Sequence, residues 1–122
     1  MKRLLNGIIA AILAIGATVG LSACASQHID MSQVTAVIDV RSAQEFATGH
    51  LEGAVNIDVE SSSFASEIGK LDTNGHYVLY CRSGHRAGIA LDQMKAAGFN
   101  DLINAGGYAD ASTATGLPIV TN

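Results

Sequence analysis

The sequence has no Trp, a single Pro and only two Cys in 122 residues. Two cysteines cannot build the disulfide-dense framework of a small secreted scaffold. There is no internal repeat, and Ser61-Ser62-Ser63 is the only low-complexity stretch. Charge is also scarce, at 15% of residues, and leans negative, with 11 Asp and Glu against 7 Lys and Arg. That balance argues against a general binder of phosphate backbones, so no nucleic-acid partner is expected. Apolar residues are abundant, at 48%, which argues against a disordered chain. The length suffices for one small core and not for two.

The apolar residues are unevenly spread. Met1-Lys2-Arg3 is a positive start, no charge occurs from Leu4 through Ala23, and Ile8 to Leu21 is almost all Ile, Leu, Ala, Val and Gly. A positive start, an apolar run and then small residues is the layout of a secretory signal. The rival is a permanent membrane helix, since about 20 apolar residues span a bilayer. Asn6, Gly7, Gly16 and Gly20 make it a mediocre anchor. Leu21-Ser22-Ala23-Cys24 resembles the bacterial lipobox. The resemblance implies that residues 1–23 are removed, that Cys24 carries lipid, and that the protein is exported and anchored to a membrane of the cell envelope. Stable anchoring takes more than one acyl chain. Ordinary cleavage after Ala23-Cys24-Ala25 is the alternative and would leave a soluble periplasmic or secreted domain. The 99 residues beyond the signal hold five Lys and Arg against eleven Asp and Glu, a net charge of −6. An anionic ligand must then be attracted locally, against the sign of the whole.

Residues 24–32 are polar and aperiodic and read as a tether, with the domain over 33–122. Val34 to Val40 is β-branched and continuous, the mark of a buried strand. Ser42-Ala-Gln-Glu45 is a capping box, predicting a short helix from Ala43 to Ala47 that stops at Gly49. Gly53 to Ile57 reads as a second strand, and Ser61 to Ile68 as a helix with Phe64, Ala65 and Ile68 on one face. His76 to Tyr80 is a strand entering from the Asn74-Gly75 turn. Ala87, Ala90, Leu91, Met94 and Ala97 mark one face of a helix ending at Gly98. Asp101 to Asn104 is a short strand, Gly106-Gly107 a turn, and Gly116-Leu-Pro118 a final loop. Strands separated by helices over one core predict an α/β domain with a small, mostly parallel sheet.

Cys81-Arg-Ser-Gly-His-Arg86 lies between a buried strand and a helix. Loop amides and a helix start converge on a sulfur placed there, and their partial positive charge favours thiolate. Arg82 and Arg86 add full charges, and Gly84 lets the backbone turn its N–H groups inward as an anion nest. Such a loop suits a nucleophilic sulfur acting on a small anion. The plainer reading is a buried Cys with incidental arginines. A Cys, a Gly and two Arg within six residues at a strand-to-helix junction favour the chemical one.

Cys81-Arg-Ser-Gly-His-Arg86 resembles the active-site loop of single-domain rhodaneses, the thiosulfate sulfurtransferases. Ile38-Asp-Val-Arg-Ser-Ala-Gln-Glu-Phe46 resembles that family's Asp-x-Arg-x-x-x-Glu-Phe segment, and Gly49-His-Leu-Glu-Gly-Ala-Val-Asn-Ile57 its Gly-His-Ile-Pro-Gly-Ala-x-Asn-Ile stretch. Gly106-Gly107 and Gly116-Leu-Pro118 resemble its C-terminal signatures. The resemblance implies a three-layer fold with helices flanking the sheet, and a relay in which Cys81 takes the outer sulfur of thiosulfate as a persulfide. Cyanide, a thiol or a protein acceptor then receives it; the alternative is a persulfide carrier, sulfur relay or binding module with little turnover of free thiosulfate. Arg82, Ser83, Gly84, His85 and Arg86 would cradle the anion, and no metal or organic cofactor is implied. Cysteine phosphatases and arsenate reductases are the nearest rivals. The phosphatases place five residues between Cys and Arg, whereas four separate Cys81 from Arg86, a ring better sized for sulfur.

The sequence departs from the family pattern at three places. Glu52 stands where Pro is frequent, His85 where Arg or Lys is frequent, and Ala111 where an aromatic, usually Trp, is common. His85 leaves the loop less charged near neutral pH. Asp39 and Arg41 could tune the active site, but read more simply as a strand-end ion pair or cap, and His50 reads as a turn residue satisfied by backbone. His28, His50, His76 and His85 lack the spacing of metal ligands. Lipid on Cys24 would forbid a disulfide between Cys24 and Cys81.

Overall fold

The computed structural model describes residues 28–121. The signal segment 1–23 and the lipid-attachment residue Cys24 lie outside them. Four parallel strands form the central sheet in the order β3-β1-β4-β5: β1 (Ala36–Asp39), β3 (Val55–Asn56), β4 (His76–Cys81) and β5 (Asp101–Gly107). Two more strands, β2 (His50–Leu51) and β6 (Ile119–Val120), pair antiparallel as a separate ribbon. The helices are α1 (Ala43–Thr48), α2 (Phe64–Ile68), α3 (His85–Ala96) and α4 (Tyr108–Thr115). This is the α/β architecture that alternating strand and helix patterns predict.

Alternation along the strands divides the core in two. Ile38, Val40, Tyr77, Leu79 and Cys81 face Phe64 and Ile68 of α2 and Ala87, Ala90 and Met94 of α3. Val37, Val78 and Tyr80 face the other way, onto Leu51 and onto Ala111 and Ala114 of α4. Small residues on α3 and α4 let both helices lie close to the sheet. Ala111, one of the three departures noted in the sequence, is fully buried. Within the stretch read as a tether, Ile29 is buried in the α4-side cluster and its N–H donates to the Ala114 carbonyl at 2.9 Å.

Several local readings shift in the folded chain. The capping box forms as predicted: Ser42 Oγ accepts from the Glu45 N–H at 3.1 Å, and the Glu45 carboxylate accepts from the Ser42 N–H. The strand read over 53–57 narrows to Val55–Asn56, because Gly53 turns the chain with φ +84°. The helix read over 61–68 begins only at Phe64. Ser61 Oγ accepts from the Ser63 N–H at 3.1 Å, so the serines form a turn of their own. Gly106-Gly107 is not a turn but the end of β5, which runs straight into α4. A register shift between Leu79 and Cys81 accommodates this extension and pairs Cys81 with Gly107. The β2–β6 ribbon was not predicted; two-residue strands carry too little periodicity to register in a sequence.

Candidate active site

Cys81 is the last residue of β4, and its side chain is fully buried on the α3 face. The chain then turns through Arg82, Ser83 and Gly84 into α3. Gly84 precedes the helix with φ +99°, a left-handed conformation that glycine adopts without strain. This turn aims the Gly84 N–H at the Cys81 Sγ, 2.9 Å away, and the Ala87 N–H donates to the same sulfur at 3.3 Å. Two backbone donors on one sulfur favour a negative charge there.

The loop can take this shape only because it sits against another bare stretch of backbone. A Cβ on Gly84 would come within 3.2 Å of the Gly106 Cα, and one on Gly107 would collide with the Arg82 carbonyl. Asn104 ties the two strips together. Its Nδ2 donates to the Gly84 carbonyl at 3.0 Å, and its Oδ1 accepts from the Gly106 N–H at 2.9 Å. The sequence shows Asn104 only as a strand residue, and the Asn-x-Gly spacing that its bond to the Gly106 N–H uses is the one local signal it carries.

The five residues read as an anion cradle separate into two groups. Arg82, Ser83 and His85 are exposed, and Gly84 contributes its N–H to the sulfur. Arg86 instead points at α1, where its Nη1 and Nη2 donate to the two carboxylate oxygens of Glu45 at 2.7 and 3.0 Å. This guanidinium holds the Glu45 carboxyl down to about 2, against partial burial and with help from Ser42; Glu45 in turn raises Arg86. The capping residue of α1 is therefore also the clamp on the loop. The sequence shows Glu45 only as a cap, because its partner lies 41 residues away.

A second ion pair lies at the end of β1. Asp39 is fully buried, and Arg41 is 3% exposed. Arg41 Nε and Nη2 donate to the Asp39 carboxylate, and Nη2 also donates to the Gly49 carbonyl at 2.6 Å. Its guanidinium carbon lies 5.7 Å from the centre of the Tyr80 ring and 4.9 Å from that of Tyr108. Asp39 and Arg41 thus form the strand-end ion pair read from the sequence. His50 is satisfied by backbone, with Nδ1 2.8 Å from the Phe46 carbonyl oxygen, but it sits on β2 rather than in a turn and stacks on Phe46.

Two cavities border the loop. One, of about 250 Å³, is polar and lined by Arg41, Glu45, Thr48, Arg82 and Tyr108. The other, of about 500 Å³, lies along α3 and includes Gly84, Gly88, Ile89 and Asn104. Glu52 is exposed and lines neither. Among the described residues no three His, Cys, Asp or Glu side chains gather as a metal site.

Comparison with known proteins places this geometry in context. The model of the rhodanese-like domain matches residues 22–114. The thiosulfate sulfurtransferase PspE of Escherichia coli is 30% identical over 73 residues, covering 60% of this chain and 70% of its own. The putative sulfur carrier protein YrkF of Bacillus subtilis is 30% identical over 78 residues, or 64% of this chain and 41% of that one. The probable adenylyltransferase/sulfurtransferase MoeZ of Mycobacterium tuberculosis is 34% identical over 76 residues, 62% of this chain and 19% of that one. The match therefore spans about a fifth of MoeZ and two fifths of YrkF. Among solved structures, a rhodanese with anions from E. coli superposes with a TM-score of 0.59 at 28% identity, covering 71% of this chain and 98% of that one.

Proposed function

The chain belongs to the rhodanese-like family, and on that premise we propose that it moves sulfane sulfur through a persulfide on Cys81. The observation that carries this reading is the pair of N–H groups, from Gly84 and Ala87, donating to one buried sulfur within a six-residue loop. In the first half-reaction the Cys81 thiolate attacks the outer sulfur of thiosulfate. The sulfur–sulfur bond of the donor breaks, and sulfite leaves with its electron pair. In the second, cyanide or a thiolate attacks the outer sulfur of the persulfide, and Cys81 departs as thiolate. The loop amides stabilise negative charge on sulfur in both steps without reorganising. Arg82 is the loop cation free to meet the departing sulfite, since Arg86 is engaged by Glu45.

The test is thiosulfate–cyanide turnover with intact mass in parallel. Wild type is expected to gain one sulfur on Cys81 and turn over. Cys81→Ser is expected to do neither, and turnover surviving in that variant sinks the mechanism.

A second reading is a sulfur carrier with slow turnover of free thiosulfate. The full burial of Cys81 and the engagement of Arg86 favour it, as does the likeness to YrkF. Fast discharge to a cell extract with slow discharge to cyanide would distinguish it. We also propose, from Leu21-Ser22-Ala23-Cys24 and the uncharged run before it, that the protein works at the cell envelope, anchored through lipid on Cys24. Intact mass of protein purified from membranes tests this, since an unmodified Cys24 or an uncut chain excludes the anchor.

A further inference from the structure

Strand register brings a second cationic feature to the sulfur loop. Asp39 of β1 registers with Tyr80 of β4, and Cys81 registers with Gly107 of β5. Two residues beyond Asp39 and Tyr80, and one beyond Gly107, Arg41, Arg82 and Tyr108 emerge in one row. Together with Glu45 and Thr48 they line the polar cavity of about 250 Å³. The cavity adjoins the loop through Arg82, which follows Cys81, and Glu45, which grips Arg86.

Arg41 is built into this cavity as a receptor. Its Nε and Nη2 are consumed by Asp39 and Gly49, and Tyr80 and Tyr108 pack on its faces. Nη1 has no acceptor among the described residues. It is not sealed either, since His76 Nε2 is the only buried, unpartnered side-chain nitrogen or oxygen among them. A guanidinium held rigidly in the wall of a cavity, with its Nη1 spare, is suited to bind an anion. Arg82 is exposed and outside every ion pair among the described residues, so it supplies a second cation. The carboxylate of Glu45, which also lines the cavity, is neutralised by Arg86.

We propose that this cavity receives the carboxylate of the sulfur acceptor, a small thiol acid, while its thiolate reaches the sulfur on Cys81. The proposal rests on the sulfur-transfer reading above. The acceptor thiolate attacks the outer sulfur of the Cys81 persulfide, and the bond from that sulfur to Cys81 breaks. Cys81 leaves as thiolate with the bonding pair, the acceptor departs as a persulfide, and no oxidant or reductant is required. Thiosulfate carries its charge on the group bonded to the transferred sulfur, so it must sit within the loop. A charged group displaced from the reacting sulfur by two or three bonds is instead free to seek the cavity that Arg82, the residue after Cys81, helps to line. The net charge of the domain repels anions generally, which makes this local cationic row a selective feature.

The experiment loads full-length protein with thiosulfate, removes the excess and follows loss of the added sulfur by intact mass. The acceptors are 3-mercaptopropionate, 2-mercaptoethanol and cysteamine at matched thiolate concentration. Discharge to 3-mercaptopropionate is expected to be about tenfold faster than to 2-mercaptoethanol, the scale of one charge-assisted hydrogen bond. Thr48→Glu places a carboxylate at the cavity from an exposed helix position and is expected to erase that preference in favour of cysteamine. Arg82→Gln is expected to lower it severalfold. Equal rates for the three thiols, or a preference that survives Thr48→Glu, overturn the proposal. So does a Thr48→Glu effect confined to the loading step, which would assign the anion site to the donor. Should Cys81 take up no sulfur at all, the sulfur-transfer reading falls and the anion site is judged by itself. NMR shifts of the Arg41 Nε–H and Tyr108 signals on adding 3-(methylthio)propionate, lost in Thr48→Glu, would support the site, and their absence would overturn it.

Discussion

Two arginine–carboxylate pairs stand close together at the carboxyl ends of the parallel strands, with Arg41 of one and Glu45 of the other lining a single cavity, and they are made by opposite means. Asp39 and Arg41 are two residues apart and almost wholly buried, with side-chain exposures of 0% and 4%. Glu45 and Arg86 are 41 residues apart and keep 31% and 20% of their side-chain surface. The first pair is set as soon as β1 forms; the second exists only when α1 and the sulfur loop have docked. Burial makes the first one costly to break, because an unpaired charge would be stranded. Partial exposure makes the second cheaper, and leaves its role more in placing the loop than in holding the fold. Stability and loop geometry are thus served by different ion pairs at the same edge of the sheet.

The comparison breaks hardest at Asp39. Asp39→Asn keeps the shape but leaves Arg41 charged and buried without its counterion, and the expected loss is about 3–5 kcal/mol. Urea unfolding of the mature domain measures it, and a loss near that of the exposed pair would erase the distinction. Glu45→Gln removes the carboxylate that Arg86 grips, while the amide oxygen can still accept the Ser42 N–H of the capping box. The expected loss at neutral pH is about 1 kcal/mol.

This second variant also predicts a pH dependence. Arg86 holds the folded-state pKa of Glu45 at about 2, below its ordinary value of 4.5. The pair therefore stabilises fully above about pH 4.5, and its contribution fades as pH falls toward 2. The stability gap between wild type and Glu45→Gln should narrow over that window, as read from urea midpoints. A gap that stayed constant down to pH 2 would mean that the pair contributes nothing through charge. The smallest effect belongs to a reference pair on the surface. Lys70 and Glu67 lie 3.5 Å apart with 71% and 44% of their side chains exposed, and Lys70→Ala should cost under about 0.5 kcal/mol.

The same contrast explains what was legible beforehand. The capping box at Ser42, the strand at β4 and the helix after the sulfur loop are encoded by neighbours within one or two turns of chain. The Asp39–Arg41 pair is legible for the same reason. The role of Asn104 is not legible beforehand, because although its bond to the Gly106 N–H is local, the one that ties the loop, to Gly84, spans 20 residues. Arg86 was read as a free cation because nothing near it in sequence competes for its charge. Gly106-Gly107 was read as a turn from composition, whereas close packing of Gly107 on the Arg82 carbonyl is what demands glycine there. The β2–β6 ribbon escaped notice because two residues are too few to show a period.

By itself the sequence determined the alternation of strands and helices, the position of Cys81 between them and the short spacing from Cys81 to Arg86. Those features follow from local periodicity, local hydrogen bonds and covalent distance. Only the tertiary structure decided that Arg86 is bound to Glu45, that Arg41 Nη1 meets no acceptor among the described residues, and that Arg82 and Tyr108 stand beside it around one cavity. Each of these depends on the register of parallel strands joined by helical crossovers. Register is set by the packing of the whole core, so no short segment of the chain carries it.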